Sequence, residues 1–176
     1  MKTILLYFSL FIIASCDKTN CKHDSDLHDF EYFSNGNLKS DLQVINGLKN
    51  GKCFYYYNDG NLKSINSYKN DTLDGESLIF YTNGRVEQKI NYVKGEPNGI
   101  SYNYFESGVN QYDRPWSDGK KIGYGVDYYD TISAIKSVLI YDSSGILIYK
   151  ENFDRVGKLI GTEGKNPFKN GKSLVN

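Results

Sequence analysis

Charge of one sign is the first property that this 176-residue sequence lacks, because its 21 basic and 21 acidic side chains cancel. A balanced chain has no basic excess for binding nucleic acid and no strong field to steer a charged partner. Methionine occurs once and proline three times, whereas tyrosine and glycine occur 16 and 17 times. Abundant aromatic residues with turn-forming glycines favour strands over helices.

A catalytic constellation is also missing from the sequence. Both histidines, His23 and His28, lie near the N-terminus, and neither a nucleophile elbow nor a phosphate-binding glycine loop occurs. Carboxylates such as Glu31, Glu87 and Asp127 follow no pattern, which is more typical of solvated charges than of a paired acid and base. We therefore predict no catalytic residues, no cofactor and no enzymatic activity, with an unrecognised hydrolase as the alternative.

Residues 1–15 have the pattern of a targeting signal. Lys2 gives a positive start, and the apolar run at residues 4–13 is too short for a membrane span, which needs about 20 residues. The small residues before Cys16, in IASC, resemble the lipobox of bacterial lipoproteins. This resemblance implies a lipid on Cys16 and a place in the bacterial cell envelope, at the outer membrane or the periplasmic face. An ordinary signal peptide with an incidental cysteine is the alternative.

Residues 16–29 are polar and have no period, which predicts a flexible tether between the lipid and the folded domain. They contain Cys21, His23 and His28 among aspartates, but the spacing fits no closed zinc pattern, so we predict no metal site. A disulfide between Cys21 and Cys53 is left open. Disulfides persist in an oxidising envelope, yet Cys53 also fits a packing position of the repeat described next.

A 24-residue step organises the centre of the chain. The nine residues from Phe33, FSNGNLKSD, return almost unchanged from Tyr57 as YNDGNLKSI. The positions linked by this step are the turn glycines Gly36, Gly60, Gly84 and Gly108; the aromatic pairs that begin at Tyr32, Tyr56, Phe80, Tyr104 and Tyr128; the series Val44, Tyr68, Tyr92 and Trp116; the glycines Gly51, Gly75, Gly99 and Gly123; and the small residues Cys53, Ser77, Ser101 and Gly125. A period of about 20–50 residues indicates a repeat array.

Each repeat has the pattern of one β-hairpin. Two short apolar and aromatic runs flank an Asn-Gly or Asp-Gly pair, which favours a tight turn with both residues at positive φ. A Gly-x-x-x-Gly loop, such as Gly95 to Gly99, is predicted to reverse the chain into the next hairpin. Neighbouring aromatics leave a strand on opposite faces. We therefore predict an all-β, elongated, single-layer array of stacked antiparallel β-hairpins, with a tight slot at the small residues and little conventional core.

The segments FYYYNDGNLKSINSYKNDTLDGE and LIFYTNGRVEQKINYVKGEPNGI resemble bacterial variants of the MORN repeat. The resemblance covers four good copies and a partial fifth, and we place the array at residues 30–133. It implies stacked hairpins that serve as scaffolds or binding surfaces. One bacterial family of proposed antitoxins is built from the same repeats.

The repeat register fades towards the C-terminus. Ile132 replaces the expected turn glycine, and Gly145, within the apolar stretch of residues 135–149, is out of step. We predict that residues 134–161 form degenerate hairpins that cap the array, because a solenoid end needs an atypical repeat. A partner-docking hairpin is the alternative for this stretch, and residues 162–176 are predicted to form a loosely ordered tail.

The aromatic series supplies the candidate binding surface, Tyr68, Tyr92 and Trp116. We predict a membrane-anchored, non-catalytic binding or scaffold lipoprotein that uses its sheet to bind a protein partner. The alternatives are an antitoxin- or immunity-type protein that neutralises a toxic partner, and a carbohydrate- or cell-wall-binding repeat protein. The stretch GKCFYYYNDGNL also resembles wall-binding repeats, but those are shorter and rich in tryptophan, whereas this chain has one tryptophan.

Overall fold

The computed structural model describes residues 27–131 and 134–168, and every helix or strand in these ranges is a β-strand. The strands are β1 (Leu27–Tyr32), β2 (Leu38–Ile45), β3 (Leu48–Tyr56), β4 (Leu62–Lys69), β5 (Thr72–Phe80), β6 (Val86–Val93), β7 (Glu96–Pro97), β8 (Gly99–Tyr104), β9 (Asn110–Ser117), β10 (Lys120–Lys121), β11 (Gly123–Tyr128), β12 (Ile135–Tyr141), β13 (Leu147–Phe153) and β14 (Leu159–Gly164). Short loops therefore separate almost all of the strands.

Several predictions fall outside the described residues. The signal peptide, Cys16, Cys21 and most of the tether precede Leu27, and Ile132 lies in the gap, so these predictions stay predictions. Among the residues that the structure describes, no helix is long and apolar enough to cross a membrane. The same ranges contain no group of three or more histidine, cysteine, aspartate or glutamate side chains arranged to hold a metal ion.

The strands form one open antiparallel sheet with the order β1-β2-β3-β4-β5-β6-β8-β9-β11-β12-β13-β14. The two-residue strands β7 and β10 pair with β6 and β9 at one margin. Each long strand pairs with the long strands before and after it in the chain, so the pairing is local throughout. The predicted all-β array of stacked antiparallel hairpins in a single layer is confirmed.

We call the two sides of the sheet along which its strands end the turn edges. The turns at these two edges differ in geometry, and the predicted geometry of the Asn-Gly and Asp-Gly turns was wrong. At Asn35-Gly36 only the glycine has a positive φ, of 88°, and its N–H donates to the carbonyl oxygen of Phe33 at 2.9 Å. This is a three-residue loop rather than the predicted tight turn. The two-residue turns, with both residues at positive φ, lie at the opposite edge, at Asn46-Gly47, Asn70-Asp71, Lys94-Gly95 and Asp118-Gly119.

The side chain before each turn glycine explains why asparagine or aspartate recurs there. The Oδ1 atom of Asn35 accepts a hydrogen bond from the N–H of Asn37 at 3.0 Å, and Asp59 accepts one from Asn61 at 2.9 Å. Short polar side chains stabilise turns through such local contacts. The asparagine or aspartate before the glycine thus stabilises the turn through its side-chain oxygen, and it does not itself adopt a positive φ.

The predicted Gly-x-x-x-Gly loop is not a loop in the structure. Gly51 and Gly75 lie inside β3 and β5 with φ of 112° and 107°, while Gly99 and Gly123 are the first residues of β8 and β11. The chain reverses at the two-residue turn, and the next strand begins or resumes before the second glycine. The second glycine series therefore belongs to the strands.

The C-terminal strands continue the sheet with an altered step. The hydroxyl of Tyr129 donates to the carbonyl oxygen of Phe153 at 2.7 Å, so the turn that ends at Gly157 lies at the edge of the earlier glycine turns. Gly145 instead lies against Lys120 and Lys121 at the opposite edge. Gly145 is therefore out of step with the earlier turn glycines because its turn lies at the opposite turn edge of the sheet.

The sheet extends beyond the predicted boundaries at both ends. Strand β1 begins at Leu27 rather than at residue 30, and His28, assigned to the tether, contacts Asp41 of β2 through its Nδ1 atom. Strand β14 ends at Gly164, three residues into the predicted tail, because Tyr149 of β13 is its register partner. Pairing with a neighbouring strand thus orders polar residues that have no pattern in the sequence.

Candidate functional site

The register of the strands defines two faces, because directly opposite residues of an antiparallel sheet share a face. We call the face that carries Cys53, Ser77, Ser101 and Gly125 the slot face. We call the other the ladder face. It carries one in-register row across the whole sheet: Phe30, Asp41, Phe54, Ile65, Leu78, Lys89, Tyr102, Asp113, Val126, Val138, Glu151 and Thr162.

The small residues form a buried slot, as their series predicted. Cys53 is fully buried, and Ser101 is 3% exposed. Burial raises the pKa of the Tyr55 phenol, and a hydrogen bond with Tyr68 raises it further, so these two side chains meet beside Cys53. Burial also raises the pKa of the Cys53 thiol. Cys53 is a packing residue of the slot, and its pairing with Cys21 lies outside the described residues.

The three candidate binding residues line up on the slot face at one position of successive repeats. Each lies directly opposite a glycine of the second series: Tyr68 opposite Gly51, Tyr92 opposite Gly75, and Trp116 opposite Gly99. A glycine in a strand has no side chain to pack, and an aromatic ring across from it covers the exposed backbone. All three aromatic side chains are half-buried, so each keeps part of its surface open.

A fourth aromatic residue, Tyr141, extends this row and was missed at the level of sequence. It lies opposite Gly123 on β11, in the same relation as the other three pairs, but it is only 9% exposed and belongs to the buried side chains. Tyr141 follows Trp116 by 25 residues rather than 24, so the step did not reveal it. The signal was nevertheless present, because Gly123 continues the glycine series whose other members lie opposite aromatic residues. We call Tyr68, Tyr92, Trp116 and Tyr141 the aromatic row.

Lysine side chains lie over some of these rings. The Nζ atom of Lys49 is 4.6 Å from the ring centroid of Tyr68, and Nζ of Lys121 is 5.5 Å from that of Trp116. Lys121 also reaches Tyr141, at 5.7 Å. A bound quaternary amine would need the same ring faces. The lysines therefore disfavour an aromatic cage of the choline-binding kind.

Trp116 is fixed to the floor of the slot. Its Nε1–H donates to the Oγ atom of Ser101 at 2.9 Å, and that hydroxyl donates to the carbonyl oxygen of Arg114 at 3.3 Å. The indole is held in one orientation, and its polar atom is already satisfied. An aromatic side chain that is ordered before binding loses less entropy when a partner arrives.

An ion pair interrupts the slot face near β11. The guanidinium of Arg114, 11% exposed, pairs with Asp127 and donates to the carbonyl oxygens of Asp113 and Val126 at 2.8 and 3.0 Å. Gly125 makes room for it, because a Cβ there would lie 3.1 Å from Cδ of Arg114. Asp127 is therefore a paired structural charge, not the solvated one that its irregular position suggested.

Charge distinguishes the two faces of the array. The exposed side chains of Lys52, Lys63, Glu76 and Lys89 lie on the ladder face, where Glu76 and Lys89 form an ion pair of 2.5 Å. On the slot face of β5–β8, the side chains between the aromatic row and the strand ends at the glycine turns are uncharged, and Gln88, for example, lies opposite Asn103. Within β5–β8 the slot face is thus the less charged of the two surfaces.

A second tyrosine series proves to be structural. The hydroxyl of Tyr57 donates to the carbonyl oxygen of Phe80 at 2.8 Å, and that of Tyr81 donates to Tyr104 at 2.6 Å. Each bond joins one repeat to the next at the glycine-turn edge, as Tyr129 does with Phe153. These tyrosines connect repeats and are not part of the candidate surface.

The ladder face holds one further polar contact near β11. The hydroxyl of Tyr128 donates to Oδ2 of Asp113 at 2.9 Å, and Asn110 donates to the other carboxylate oxygen at 2.6 Å. Burial, together with this hydrogen bond to Asp113, raises the pKa of Tyr128 to about 12. The contact locks β9 to β11 on the face opposite Arg114.

Comparison with known proteins agrees with the repeat structure. Residues 49–70 and 73–94 match the sequence model of the MORN repeat variant family. The first match follows β3 and β4 and the second follows β5 and β6, so each match is one strand pair joined by a glycine turn. MORN repeats are commonly non-catalytic binding or scaffold repeats. No curated protein matched the chain.

Proposed function

We propose that the protein is a lipid-anchored, non-catalytic binding or scaffold protein of the bacterial cell envelope, and that its slot face binds a protein partner. The observation that carries the proposal is the series Tyr68, Tyr92 and Trp116 of the aromatic row, whose half-buried rings repeat at one position of the slot face. Aromatic side chains in well-ordered positions are typical anchors of protein interfaces. The similarity of two repeats to the MORN repeat variant family supports a binding role.

The fold suits this role because the surface is ordered before binding. Each ring packs across a glycine, Tyr68 is fixed by Tyr55 and Lys49, and Trp116 is fixed by Ser101. A partner therefore gains contact with the rings at a low cost in side-chain entropy.

Membrane anchoring is tested at Cys16. In the native host, we expect the wild-type chain to sediment with membranes and the Cys16→Ala variant to be released into the soluble fraction. A variant that is cleaved and still fractionates with membranes would remove the lipid anchor from the proposal. Lys18→Ala, a change in the same tether, is the matched control and should fractionate like the wild type.

Partner binding is tested by cross-linking in intact cells, followed by affinity capture of the chain. We expect one discrete protein to be retained, and its recovery to fall at least about tenfold when Tyr92 and Trp116 are both replaced by alanine. Lys89→Ala, on the ladder face of the same sheet, should leave recovery unchanged. A polysaccharide that co-purifies in place of a protein would overturn the proposal in favour of cell-wall binding, and a captured toxin would specify an immunity role.

A further inference from the structure

We propose that Asn46 is a site of spontaneous deamidation, at which the backbone nitrogen of Gly47 attacks the Asn46 side chain and water opens the ring that results. This modification is independent of the proposed binding function. The turn at Asn46-Gly47 differs from the other Asn-Gly pairs of the described residues, which are Asn35-Gly36, Asn50-Gly51, Asn83-Gly84 and Asn98-Gly99.

The reaction needs a carboxamide that can rotate and a backbone nitrogen that can be reached. The nitrogen of Gly47 bonds to Cγ of Asn46 and expels the side-chain nitrogen as ammonia, which leaves a cyclic succinimide. Water then adds to either carbonyl of the ring and gives an aspartyl or an isoaspartyl residue, so that water is consumed and ammonia is released. A glycine after the asparagine favours the attack because it has no Cβ to shield the nitrogen.

The three-residue loop at Asn35 holds both reacting groups in place. The Gly36 N–H donates to the carbonyl oxygen of Phe33 at 2.9 Å, and Oδ1 of Asn35 accepts from the N–H of Asn37 at 3.0 Å. Nδ2 of Asn35 also donates to the carbonyl oxygen of Asn58, in the next repeat, at 3.0 Å. Attack at Asn35 therefore requires these hydrogen bonds to open first.

The loop at Asn83 repeats this arrangement. The Gly84 N–H donates to the carbonyl oxygen of Tyr81 at 2.9 Å, and Oδ1 of Asn83 accepts from the N–H of Arg85 at 2.9 Å. Each hydrogen bond that must open first should slow the attack by about 2- to 10-fold. The contacts that build the three-residue loop thus also protect its asparagine.

The two-residue turn at Asn46 uses neither of the reacting groups. It is closed by Ile45 and Leu48, the register partners on its two sides. Among the described residues, neither the Asn46 carboxamide nor the Gly47 N–H has a hydrogen-bond partner. Both residues are exposed, and no described atom beyond the chain neighbours lies within 4 Å of a Cβ added at Gly47. The carboxamide can therefore rotate onto the nitrogen without breaking a contact.

The later turns at the same turn edge hold the equivalent nitrogen. There the N–H of the second turn residue donates to a carbonyl oxygen of the preceding repeat, from Asp71 to Lys49 at 2.9 Å, from Gly95 to Leu73 at 2.8 Å and from Gly119 to Pro97 at 3.1 Å. Gly47 belongs to the first turn of this edge, and the equivalent acceptor would come from residue 25, which lies outside the described residues. No described repeat therefore holds the nitrogen of Gly47.

The two remaining Asn-Gly pairs are held by the strands. Asn50-Gly51 lies within β3, and Asn98-Gly99 leads into β8, so rotation of the backbone at either pair would disturb strand pairing. Nδ2 of Asn50 also donates to Oδ1 of Asn70 at 3.0 Å, and the N–H of Asn98 donates to the carbonyl oxygen of Asn91 at 2.9 Å. Asn46 is thus the least restrained asparagine of the set.

Deamidation at Asn46 would change both charge and backbone. The product adds a negative charge to a chain whose 21 basic and 21 acidic side chains cancel. The isoaspartyl form also lengthens the main chain between Ile45 and Leu48, where the two-residue turn fixes the register of β2 and β3. The modification therefore acts on the first hairpins of the array and leaves Tyr92 and Trp116 in place.

Peptide mapping by mass spectrometry tests the inference. We would incubate the full-length folded chain, in detergent micelles and mildly alkaline buffer, and follow the aspartyl and isoaspartyl products of each Asn-Gly pair over time. We expect Asn46 to convert at least about tenfold faster than Asn35 and Asn83, whose hydrogen bonds must open first. In unfolding concentrations of urea the three rates should agree within about threefold, because the loops that protect Asn35 and Asn83 are then absent.

Two results would overturn the inference. Equal rates at Asn46 and Asn35 in the folded chain would show that the two-residue turn does not expose the reacting groups. A difference that persists in urea would belong to the local sequence and not to the fold. Asn46→Gln, whose longer side chain does not form the five-membered ring, is the control. It should show no conversion at position 46 and an unchanged rate at Asn35.

Discussion

The repeat array and the C-terminal hairpins belong to one sheet, yet they bury different side chains. In the array the buried residues are mostly small, such as Ser40, Cys53 and Ser77, whereas β12 and β13 bury large ones such as Tyr149 and Phe153. The array is held mainly by contacts between neighbouring repeats, as expected for a solenoid. The C-terminal hairpins add a small conventional core at one end. The proposed binding surface and this core thus lie in different parts of the sheet.

The last described residues explain part of this difference. The Nδ2 atom of Asn166 approaches the hydroxyl of Tyr149 at 3.4 Å, and the ring of Phe168 stacks on Tyr124 with 6.3 Å between centroids. The chain after β14 therefore folds back over the preceding strands. The array has no such cover within the described residues, so its faces stay accessible.

The largest expected effect lies in the C-terminal core. Phe153 is 2% exposed, and Phe153→Ala should lower the free energy of unfolding by about 3–5 kcal/mol, through lost burial and the cavity that remains. Urea denaturation measures this loss. Val156→Ala, at a side chain that is 87% exposed, is the control and should stay within about 0.5 kcal/mol. A loss below about 1 kcal/mol for Phe153→Ala would contradict the assignment of a core to these strands.

The second prediction contrasts a glycine of the array with one of the C-terminal hairpins. Gly75 has a φ of 107°, and an added Cβ would lie 3.1 Å from Cβ of Ser67. Gly75→Ala should therefore lower the free energy of unfolding by about 1–2 kcal/mol or more. Gly161 in β14 has no atom within 4 Å of an added Cβ and no positive φ. Gly161→Ala should be neutral or stabilising by about 0.4–1 kcal/mol. Thermal denaturation of both variants tests the contrast, and equal losses would refute it.

A smaller effect is expected for the hydrogen bonds that join repeats. Tyr81→Phe removes the hydroxyl that donates to the carbonyl oxygen of Tyr104 and keeps the ring. It should therefore lower the free energy of unfolding by about 0.5–1.5 kcal/mol. Tyr32→Phe, at a side chain that is 62% exposed, should be silent in the same urea titration. If both variants have the stability of the wild type, the tyrosine series does not stabilise the array.

The smallest effect concerns pH. The pKa of Tyr128 is raised to about 12 in the folded state from about 10 in the unfolded chain, so the neutral phenol is favoured by folding. The contribution of this neutral phenol to the free energy of unfolding is complete below pH 10 and should be lost as the pH rises towards 12. Tyr128→Phe has no phenol to titrate, so wild type should lose stability faster than this variant between pH 10 and 12. Parallel losses in denaturation at pH 9, 10 and 11 would contradict the assigned contact.

The fold was largely predictable because a 24-residue step places the same residue types at the same structural positions. The step located the turns at Gly36, Gly60, Gly84 and Gly108, and it identified the slot at Cys53, Ser77 and Ser101. It could not give the turn geometry, because Asn-Gly occurs both in a three-residue loop at Gly36 and in a two-residue turn at Gly47. The register of the strands, not the dipeptide, decides between the two.

The candidate site was predictable only in part. Tyr68, Tyr92 and Trp116 follow from the step, but their glycine partners lie 17 residues earlier in the chain, on the neighbouring strand. Such pairs depend on the register, which the sequence does not state. The same holds for Arg114 and Asp127, whose ion pair forms across two strands and needs the space left by Gly125.

The most direct test of the account compares two neighbouring positions of β6. Tyr92 lies on the slot face, while Asn91 is exposed on the ladder face, opposite Glu76. A photo-reactive amino acid at each position, irradiated in the native host, reports which face meets a partner. We predict that position 92 captures one discrete protein, that position 91 does not, and that adding Trp116→Ala abolishes the capture. Equal capture at the two positions, or capture from position 91 alone, would contradict the claim that the slot face is the binding surface.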